Sequence, residues 1–159
     1  MSVFVLVHGA WHDGSAWKAV IQHLEAKGHQ AFAPTIARHG KGVNKNVNHA
    51  QCTQSIVDYI VDKDLTDIIL LGHSFGGTII PKVAEAISDR IRRLIFFAAP
   101  VLNDGESARD TFSPDTQAFL EKLQRESNDN TQNIKPETAS DMNASRTIAT
   151  DQLVDEMVR

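Results

Sequence analysis

Four short apolar runs alternate with amphipathic segments along about the first hundred residues. The runs lie at Val3–Val7, Gln30–Ala33, Asp67–Leu71 and Arg93–Ala99, and the first is apolar on both faces, as in a parallel strand buried between helices. Between the runs, apolar residues recur at the spacing of one helix face. These stripes are Trp17, Val20, Ile21 and Leu24, then Cys52, Ile56, Tyr59 and Ile60, then Ile79, Ile80, Val83, Ala84 and Ile87. The alternation predicts an α/β fold with a four-stranded parallel sheet and flanking helices.

Turn and breaker residues mark where these elements begin and end. We expect Ser15 to cap the first helix, which the pattern ends at Gly28. Pro34 closes the second strand and leads into a polar loop over residues 35–48. Pro81 lies several residues inside the third helix, where it removes a backbone hydrogen bond, so we expect a kink there.

The composition changes near residue 103. No glycine follows Gly105, and Asp, Asn, Ser and Thr become more frequent while apolar residues become rarer. We interpret residues 1–102 as the N-terminal part of a core and residues 103–159 as a partial helical lid. Within the lid we expect a helix over 115–126, a polar loop over 127–135, a helix start at Pro136-Glu137 and a helix over 150–159.

Composition and charge limit the class of protein. A chain of 159 residues with 42% apolar and 23% charged residues suits one globular domain. The net charge of −4 offers no attraction to nucleic acid or to an anionic membrane, so we expect neither as a partner. The single cysteine, Cys52, favours a reducing compartment. Without a bilayer-length apolar stretch or a basic leader, we expect a cytoplasmic protein, and we leave a homodimer open.

The sequence Gly72-His73-Ser74-Phe75-Gly76-Gly77 follows the third apolar run and opens the third helical stripe. A strand, then G-x-S-x-G, then a helix is the order of a nucleophile elbow, in which a strained turn exposes the serine hydroxyl. Glycine at 72 and 76 leaves space for that turn, and Gly77 lets the helix pack closely. The sequence therefore predicts Ser74 as a catalytic nucleophile. The alternative is a serine that only caps its helix.

The histidines raise a difficulty for this interpretation. All seven, at positions 8, 12, 23, 29, 39, 49 and 73, precede Ser74. In this architecture the triad runs serine, then acid, then histidine along the chain, and a serine hydroxyl is a weak nucleophile without a base. We therefore expect the histidine and the acid to come from a C-terminal segment absent from this chain, in effect a complementary polypeptide.

Several stretches at the right order and spacing resemble one family. They are Phe4–Trp11 with Trp17, Leu24–His29, Gly72–Gly77 and Phe96–Ala99. Together they resemble the α/β-hydrolase superfamily, and within it the methyl-esterase, hydroxynitrile-lyase and pyrethroid-hydrolase-like group. The resemblance covers residues 1–102 closely and the lid loosely. It implies that the chain supplies the third to sixth strands of a larger fold.

The resemblance also assigns roles beside Ser74. Ala10 and Phe75 match the positions whose backbone N–H groups form the oxyanion hole in esterase members, where two donors meet the developing negative charge. Their alternative role is to bind water. Gly9 stands where the hydroxynitrile lyases carry threonine, which favours ester hydrolysis over cyanohydrin cleavage. His8 and His73 flank the two motifs, and we interpret both as supporting residues that pack rather than as the base.

No cofactor or metal is expected. His8 and His12 are four residues apart, a spacing that binds metal only on a helix, and they lie on a strand end and a loop. Gly72–Gly77 lacks the lysine of a phosphate loop, and no dinucleotide-binding glycine pattern follows a strand. Arg38-His39-Gly40 resembles the Gly-His-Gly loop of hydrolases and is interpreted as structural.

These patterns predict a serine hydrolase acting on a small, uncharged carboxylic ester, with amide or thioester as related substrates. A non-catalytic ligand-binding protein of the same fold is the alternative from another class, since a fold does not dictate a function. A lyase of the hydroxynitrile-lyase type is the third.

Overall fold

A computed structural model describes residues 1–40, 42–127 and 150–158 of the chain. The expected loop over 128–135, the helix start at Pro136-Glu137 and the last residue, Arg159, lie outside the described residues. The strands are β1 (Val3–Val7), β2 (Gln30–Phe32), β3 (Ile68–His73) and β4 (Ile91–Phe97). The α-helices are α1 (Lys18–Ala26), α2 (His49–Asp62), α3 (Gly76–Ala86), α4 (Pro114–Glu126) and α5 (Thr150–Val158), and short 3-10 helices occupy Gly14–Trp17, Ser88–Arg90 and Ala108–Thr111.

The four strands form one parallel sheet in the order β2-β1-β3-β4. This confirms the predicted fold class, and it follows from the double-sided apolar character of the central strands. Val5 and Val7 of β1 point into a core formed with α2 and α3, whereas Phe4 and Leu6 point into a second core with α1 and α5. Alternate residues of a strand face opposite sides of a sheet, so a strand with helices on both faces needs apolar residues throughout.

The structure corrects two details of the sequence prediction. Ser15 does not cap the first helix; the Asp13 carboxylate accepts the Ser15 N–H at 2.8 Å and caps the 3-10 turn that precedes α1. The last strand ends at Phe97 rather than Ala99, because Ala98 has a φ of +43° and leaves the extended conformation. Helix α3 continues through Pro81 to Ala86, with buried side chains before and after it, and the kink expected there stays a prediction.

The two described helices after residue 103 differ in how they pack. In α5, Leu153, Val154 and Met157 are buried in the core that contains Phe4 and Leu6. An ion pair joins Lys27, just after α1, to Asp155 at 2.9 Å. In α4 only Leu120 is buried. The division at residue 102 stays a prediction, and α5 packs against the body of the sheet.

The outer edge of β4 bears directly on the site. Among the described residues β4 pairs with β3 and with no other strand. Its last four residues, Leu94 to Phe97, are apolar yet only partly buried. The described part of the chain therefore leaves an apolar strand edge open beside the turn that carries Ser74. None of the described helices combines the length and the apolar character that a bilayer span requires.

Candidate active site

Ser74 occupies the turn between β3 and α3 in a backbone conformation that most residues avoid. Its φ is +51°, in the left-handed region that costs about 1–2 kcal/mol for a residue with a Cβ. Two hydrogen bonds hold it there: the Ser74 N–H donates to the Phe97 carbonyl oxygen at 3.3 Å, and the Gly77 N–H donates to the Ser74 carbonyl oxygen at 2.9 Å. Ser74 stays partly exposed, so the turn presents its hydroxyl at the carboxyl end of the sheet.

Three glycines allow the backbone segments around this turn to touch. A Cβ on Gly72 would lie 2.5 Å from the Gly76 carbonyl oxygen, and one on Gly76 would lie 2.6 Å from the Val7 carbonyl oxygen. A Cβ on Gly77 would lie 2.4 Å from the Ala99 Cβ. Real Cβ atoms do not approach other atoms so closely, so β1, β3 and α3 meet at this point only with glycine at these positions.

The loop after β1 brings Gly9 and Ala10 to the same turn. A Cβ on Gly9 would lie 3.2 Å from the Ser74 Cβ, which places this loop in contact with the serine. Among the described residues, neither the Ala10 N–H nor the Phe75 N–H donates a hydrogen bond within the protein. Phe75 immediately precedes α3, where the first N–H groups of a helix have no partner inside it. Two open donors therefore lie close to Ser74.

His8 is a buried structural residue with both ring nitrogens engaged. It is 1% exposed; its Nδ1 lies 2.8 Å from the Gly9 carbonyl oxygen, and its Nε2 accepts the Ile36 N–H at 3.0 Å. One donor and one acceptor are what a neutral imidazole offers. Burial lowers the pKa of His8 from 6.5 to about 4, which makes the ring a weak base, and with both nitrogens engaged it has none to offer to Ser74.

His73 lies in an aromatic cluster next to the serine. Its ring centroid is 5.5 Å from that of Phe97, 6.0 Å from that of His12 and 6.2 Å from that of Trp17. Burial, and to a lesser degree His12, lowers the pKa of His73. Within the described residues the Ser74 hydroxyl has no hydrogen-bond partner, so His73 does not act on it in this arrangement.

Two further histidines surround the ring of Phe75, which the sequence did not indicate. The His39 ring stacks on Phe75 at 5.8 Å with an interplanar angle of 30°, and the His49 ring meets it edge-on at 5.8 Å. Thr78 links His49 to the backbone, because its hydroxyl donates to the Phe75 carbonyl oxygen at 2.8 Å and lies 3.0 Å from His49 Nε2. Both histidines belong to segments remote in sequence, so only the fold reveals the contact.

The histidines near Ser74 do not converge on a metal position. His8 faces Ile36 and lies 5.0 Å from His39 between ring centroids, whereas His12 faces His73. In the described parts of the chain no three His, Cys, Asp or Glu side chains group in a way that could hold a metal ion. The site is therefore described by a serine, two backbone donors and a packed histidine shell.

Comparison with known proteins places this site in a family. Residues 4–152 match the model of the alpha/beta hydrolase family. The chain belongs to that family. The carbendazim hydrolyzing esterase of Nocardioides sp. (strain SG-4G) is 36% identical to this α/β-hydrolase chain over 110 residues, 67% of the chain and 46% of that protein. The pyrethroid hydrolase of Sphingobium wenxiniae is 32% identical over 104 residues, 64% of the chain and 37% of that protein. Methylesterases are also among its relatives.

A solved structure extends the likeness over the whole chain. An extracellular alpha/beta-hydrolase from a Paenibacillus species, described as sharing structural and functional homology with tobacco Salicylic Acid Binding Protein 2, superimposes with a TM-score of 0.86 and 38% identity. The match covers 100% of this chain and 66% of that one. The chain thus spans about half or less of the curated relatives named above, and about two thirds of this structural neighbour.

Proposed function

We propose that the protein containing this chain hydrolyses carboxylic esters through an acyl-enzyme on Ser74, with amides and thioesters as related substrates. The observation that carries the proposal is the left-handed turn at Ser74, with a φ of +51°. It holds a partly exposed hydroxyl near two N–H groups that have no partner among the described residues. A nucleophile beside two such donors is the arrangement that acyl transfer requires.

In the proposed reaction the Ser74 Oγ attacks the ester carbonyl carbon while its proton passes to a base. The carbonyl oxygen becomes an oxyanion and accepts hydrogen bonds from the Ala10 and Phe75 N–H groups. The carbon–oxygen bond to the alcohol then breaks, the alcohol takes the proton from the base, and the acyl group remains on Ser74. Water attacks this acyl-enzyme, gives its proton to the same base, and releases the carboxylic acid.

The base and its acidic partner are proposed to lie outside the 159 residues. Both nitrogens of His8 are engaged, and His73 packs among aromatic rings. All seven histidines precede Ser74, whereas in this architecture the acid and the histidine follow the serine. The roles of base and orienting carboxylate are therefore assigned to a complementary C-terminal polypeptide of the same fold.

The open edge of β4 supports such a partner. An apolar strand edge exposed to water pairs readily with another strand, and Leu94 to Phe97 provide four partly buried apolar residues there. The edge lies beside the Ser74 turn, because the Phe97 carbonyl oxygen accepts the Ser74 N–H at 3.3 Å. A strand paired with β4 would bring its following loop to the serine. A homodimer through the same edge is the second choice.

The proposed substrate is a small, uncharged ester. The relatives are named esterase, methylesterase and pyrethroid hydrolase, which supports an ester bond as the target. Trp17 and Phe97 lie against His73, next to the serine, and apolar rings favour an uncharged group. The net charge of −4 supports neither nucleic acid nor an anionic membrane as a partner.

A fluorophosphonate probe tests the nucleophile directly. We expect the intact protein to be labelled at Ser74, and the Ser74→Ala variant to lose both labelling and p-nitrophenyl acetate hydrolysis. Ser15→Ala, at an exposed position, should keep both and serves as the matched control. An unlabelled protein that still binds ligands would establish a non-catalytic binding protein. Release of cyanide from a cyanohydrin would establish a lyase.

The partner and the compartment need separate measurements. Intact-mass analysis with N-terminal sequencing of the purified protein should find the C-terminal segment, either continuous with these residues or as a companion chain. Purification of these 159 residues alone, with full activity, would contradict the proposed source of the base. A cytoplasmic location is proposed from the lone buried Cys52, and cell fractionation tests it.

A further inference from the structure

The His39 ring packs against both segments that carry the proposed oxyanion-hole donors. It stacks on the Phe75 ring, with centroids 5.8 Å apart and an interplanar angle of 30°. The same ring lies 5.0 Å from the His8 ring between centroids. His8 Nδ1 in turn lies 2.8 Å from the Gly9 carbonyl oxygen, in the peptide that carries the Ala10 N–H. We propose that His39 is a positioning residue that aligns the Ala10 and Phe75 N–H groups with each other. This inference rests on the proposed function at Ser74.

The Ala10 N–H is fixed through the peptide plane that precedes it. The N–H of a residue lies in the same peptide plane as the preceding carbonyl, so the Gly9 carbonyl oxygen controls its direction. That oxygen lies 2.8 Å from His8 Nδ1 and accepts the His12 N–H at 3.2 Å. His39 packs on the His8 ring and so helps to keep its Nδ1 at that oxygen. With the Gly9 carbonyl oxygen held by two groups, the peptide has little freedom to turn the Ala10 N–H away.

The loop over residues 35–48 holds His39 itself. The His39 N–H donates to the Ile36 carbonyl oxygen at 3.1 Å, and Ile36 is fully buried. The Lys45 ammonium group donates to the Arg38 and Gly40 carbonyl oxygens at 2.7 and 2.8 Å, on either side of His39. Arg38 has a φ of +68°, a strained conformation that this bracing maintains. Three hydrogen bonds thus fix the backbone around His39, so the His39 ring can hold its neighbours in place.

His39 differs from a residue that only packs, because its two contacts join separate segments. Phe75 belongs to the β3–α3 turn, and His8 begins the loop after β1 that carries Ala10. The two donors of an oxyanion hole must converge on one oxygen to within a few tenths of an ångström to be effective. His49 also contacts the Phe75 ring, at 5.8 Å, and no contact of His49 with Ala10 is found in the described residues. His49 is therefore the matched control for the Phe75 contact.

The test compares His39→Ala, His39→Gln, His49→Ala and His23→Ala in the intact protein, with His23 lying exposed on α1. Removing one oxyanion donor costs about 100- to 1,000-fold in kcat, so a misaligned donor should cost less. We expect His39→Ala to lower kcat for p-nitrophenyl acetate by about tenfold to a hundredfold, with KM unchanged within about twofold. His39→Gln fills part of the space between Phe75 and His8 and should recover part of the loss. His49→Ala should lose less, and His23→Ala should match the parent.

A trifluoromethyl ketone separates alignment from loss of fold. It forms an oxyanion on Ser74, so its inhibition constant should rise in His39→Ala by the same factor as kcat falls, while the thermal midpoint stays near that of His49→Ala. An unchanged inhibition constant, a change in KM alone, or a loss that follows the unfolded fraction would overturn the positioning role. If the parent protein does not react with a fluorophosphonate at Ser74, the proposed function fails and not this inference alone.

Discussion

The Ser74 N–H donates to the Phe97 carbonyl oxygen at 3.3 Å, so the turn after β3 is fastened to the last residue of β4. Both strands end here. Ser74, the residue after β3, has a φ of +51°, and Ala98, the residue after Phe97, has a φ of +43°. The hydrogen bond joins the ends of two neighbouring strands at the points where both turn away, and the two turns form a platform at the carboxyl edge of the sheet. The proposed nucleophile therefore depends on β4 as well as on its own turn.

The first prediction concerns Gly72, at the base of that platform. A Cβ there would lie 2.5 Å from the Gly76 carbonyl oxygen, so Gly72→Ala should shift the turn and abolish fluorophosphonate labelling of Ser74. Overpacking of this kind costs about 1–3 kcal/mol, which urea denaturation would measure. Gly28→Ala is the control: its φ is +81° and a Cβ would meet nothing within 4 Å, so it should keep labelling. Full labelling of Gly72→Ala would show that the close approach is not needed.

The second prediction concerns Gly9, which faces the serine across the site. A Cβ at this position would lie 3.2 Å from the Ser74 Cβ and 3.1 Å from His73 Nδ1. Gly9→Thr should therefore crowd the space above the hydroxyl and reduce kcat/KM for p-nitrophenyl acetate by more than about tenfold, equal to about 1.4 kcal/mol. Gly9→Ala should give a smaller loss, because the neighbours need to move only slightly. Equal losses from alanine and threonine would point to backbone conformation instead of crowding.

The sequence was sufficient for the fold and for the position of Ser74, and the reasons are local. A buried parallel strand needs apolar residues on both faces, so Val3–Val7 and Ile68–Leu71 identify the central strands by composition alone. The elbow glycines stand next to Ser74 in sequence, because the turn that carries the serine is itself the place where β1, β3 and α3 approach closely. The apolar pattern along the chain therefore predicts the strands, and the motif around Ser74 predicts the turn.

Other features depend on contacts between distant segments, which periodicity cannot indicate. His39 reaches Phe75 and His8 only because the loop after β2 brings it to two segments that are remote in sequence. The cap at Asp13 in place of Ser15 arose because a 3-10 turn precedes α1 and moves the cap position two residues earlier. Helix α3 runs through Pro81 since the buried Ile79, Ile80 and Val83 stabilise it on both sides. Tertiary packing decided each of these cases over local preference.

The third prediction is a pH dependence of stability that arises from His8. Burial lowers the pKa of His8 from 6.5 to about 4. Between these two pH values the unfolded chain therefore binds a proton at His8, whereas the folded chain does not. The neutral His8 ring contributes about 3 kcal/mol to the free energy of unfolding. This contribution is fully present above pH 6.5 and is lost as the pH falls from 6.5 towards 4. Urea denaturation at a series of pH values would measure it.

His8→Gln isolates this effect from the other histidines whose pKa is also lowered by burial, among them His39 and His73. Glutamine stays neutral and can still accept the Ile36 N–H, so the free energy of unfolding should fall less steeply below pH 6.5 than in the parent. His23→Gln, at an exposed site on α1, should leave the slope unchanged. Identical slopes for His8→Gln and the parent would show that His8 is protonated in the folded protein.

The fourth prediction compares two hydroxyls on α2. The Thr53 Oγ1 is buried and has no hydrogen-bond partner among the described residues, so Thr53→Val should be neutral or stabilise the fold by up to about 1 kcal/mol. The Ser55 hydroxyl accepts the Ala37 N–H at 3.1 Å and donates to the Cys52 carbonyl oxygen at 2.7 Å. Ser55→Ala leaves the Ala37 N–H unpaired and should cost about 1–3 kcal/mol.

The two variants should also differ in activity. Ala37 lies two residues before His39, and its carbonyl oxygen is 3.1 Å from His39 Nδ1. Loss of the Ser55 contact therefore loosens the segment that holds His39. Ser55→Ala should therefore raise the inhibition constant of a trifluoromethyl ketone, whereas Thr53→Val should leave it unchanged. A destabilised Ser55→Ala variant with parental inhibition would indicate that His39 keeps its place without this anchor, and the bracing from Lys45 would then be sufficient.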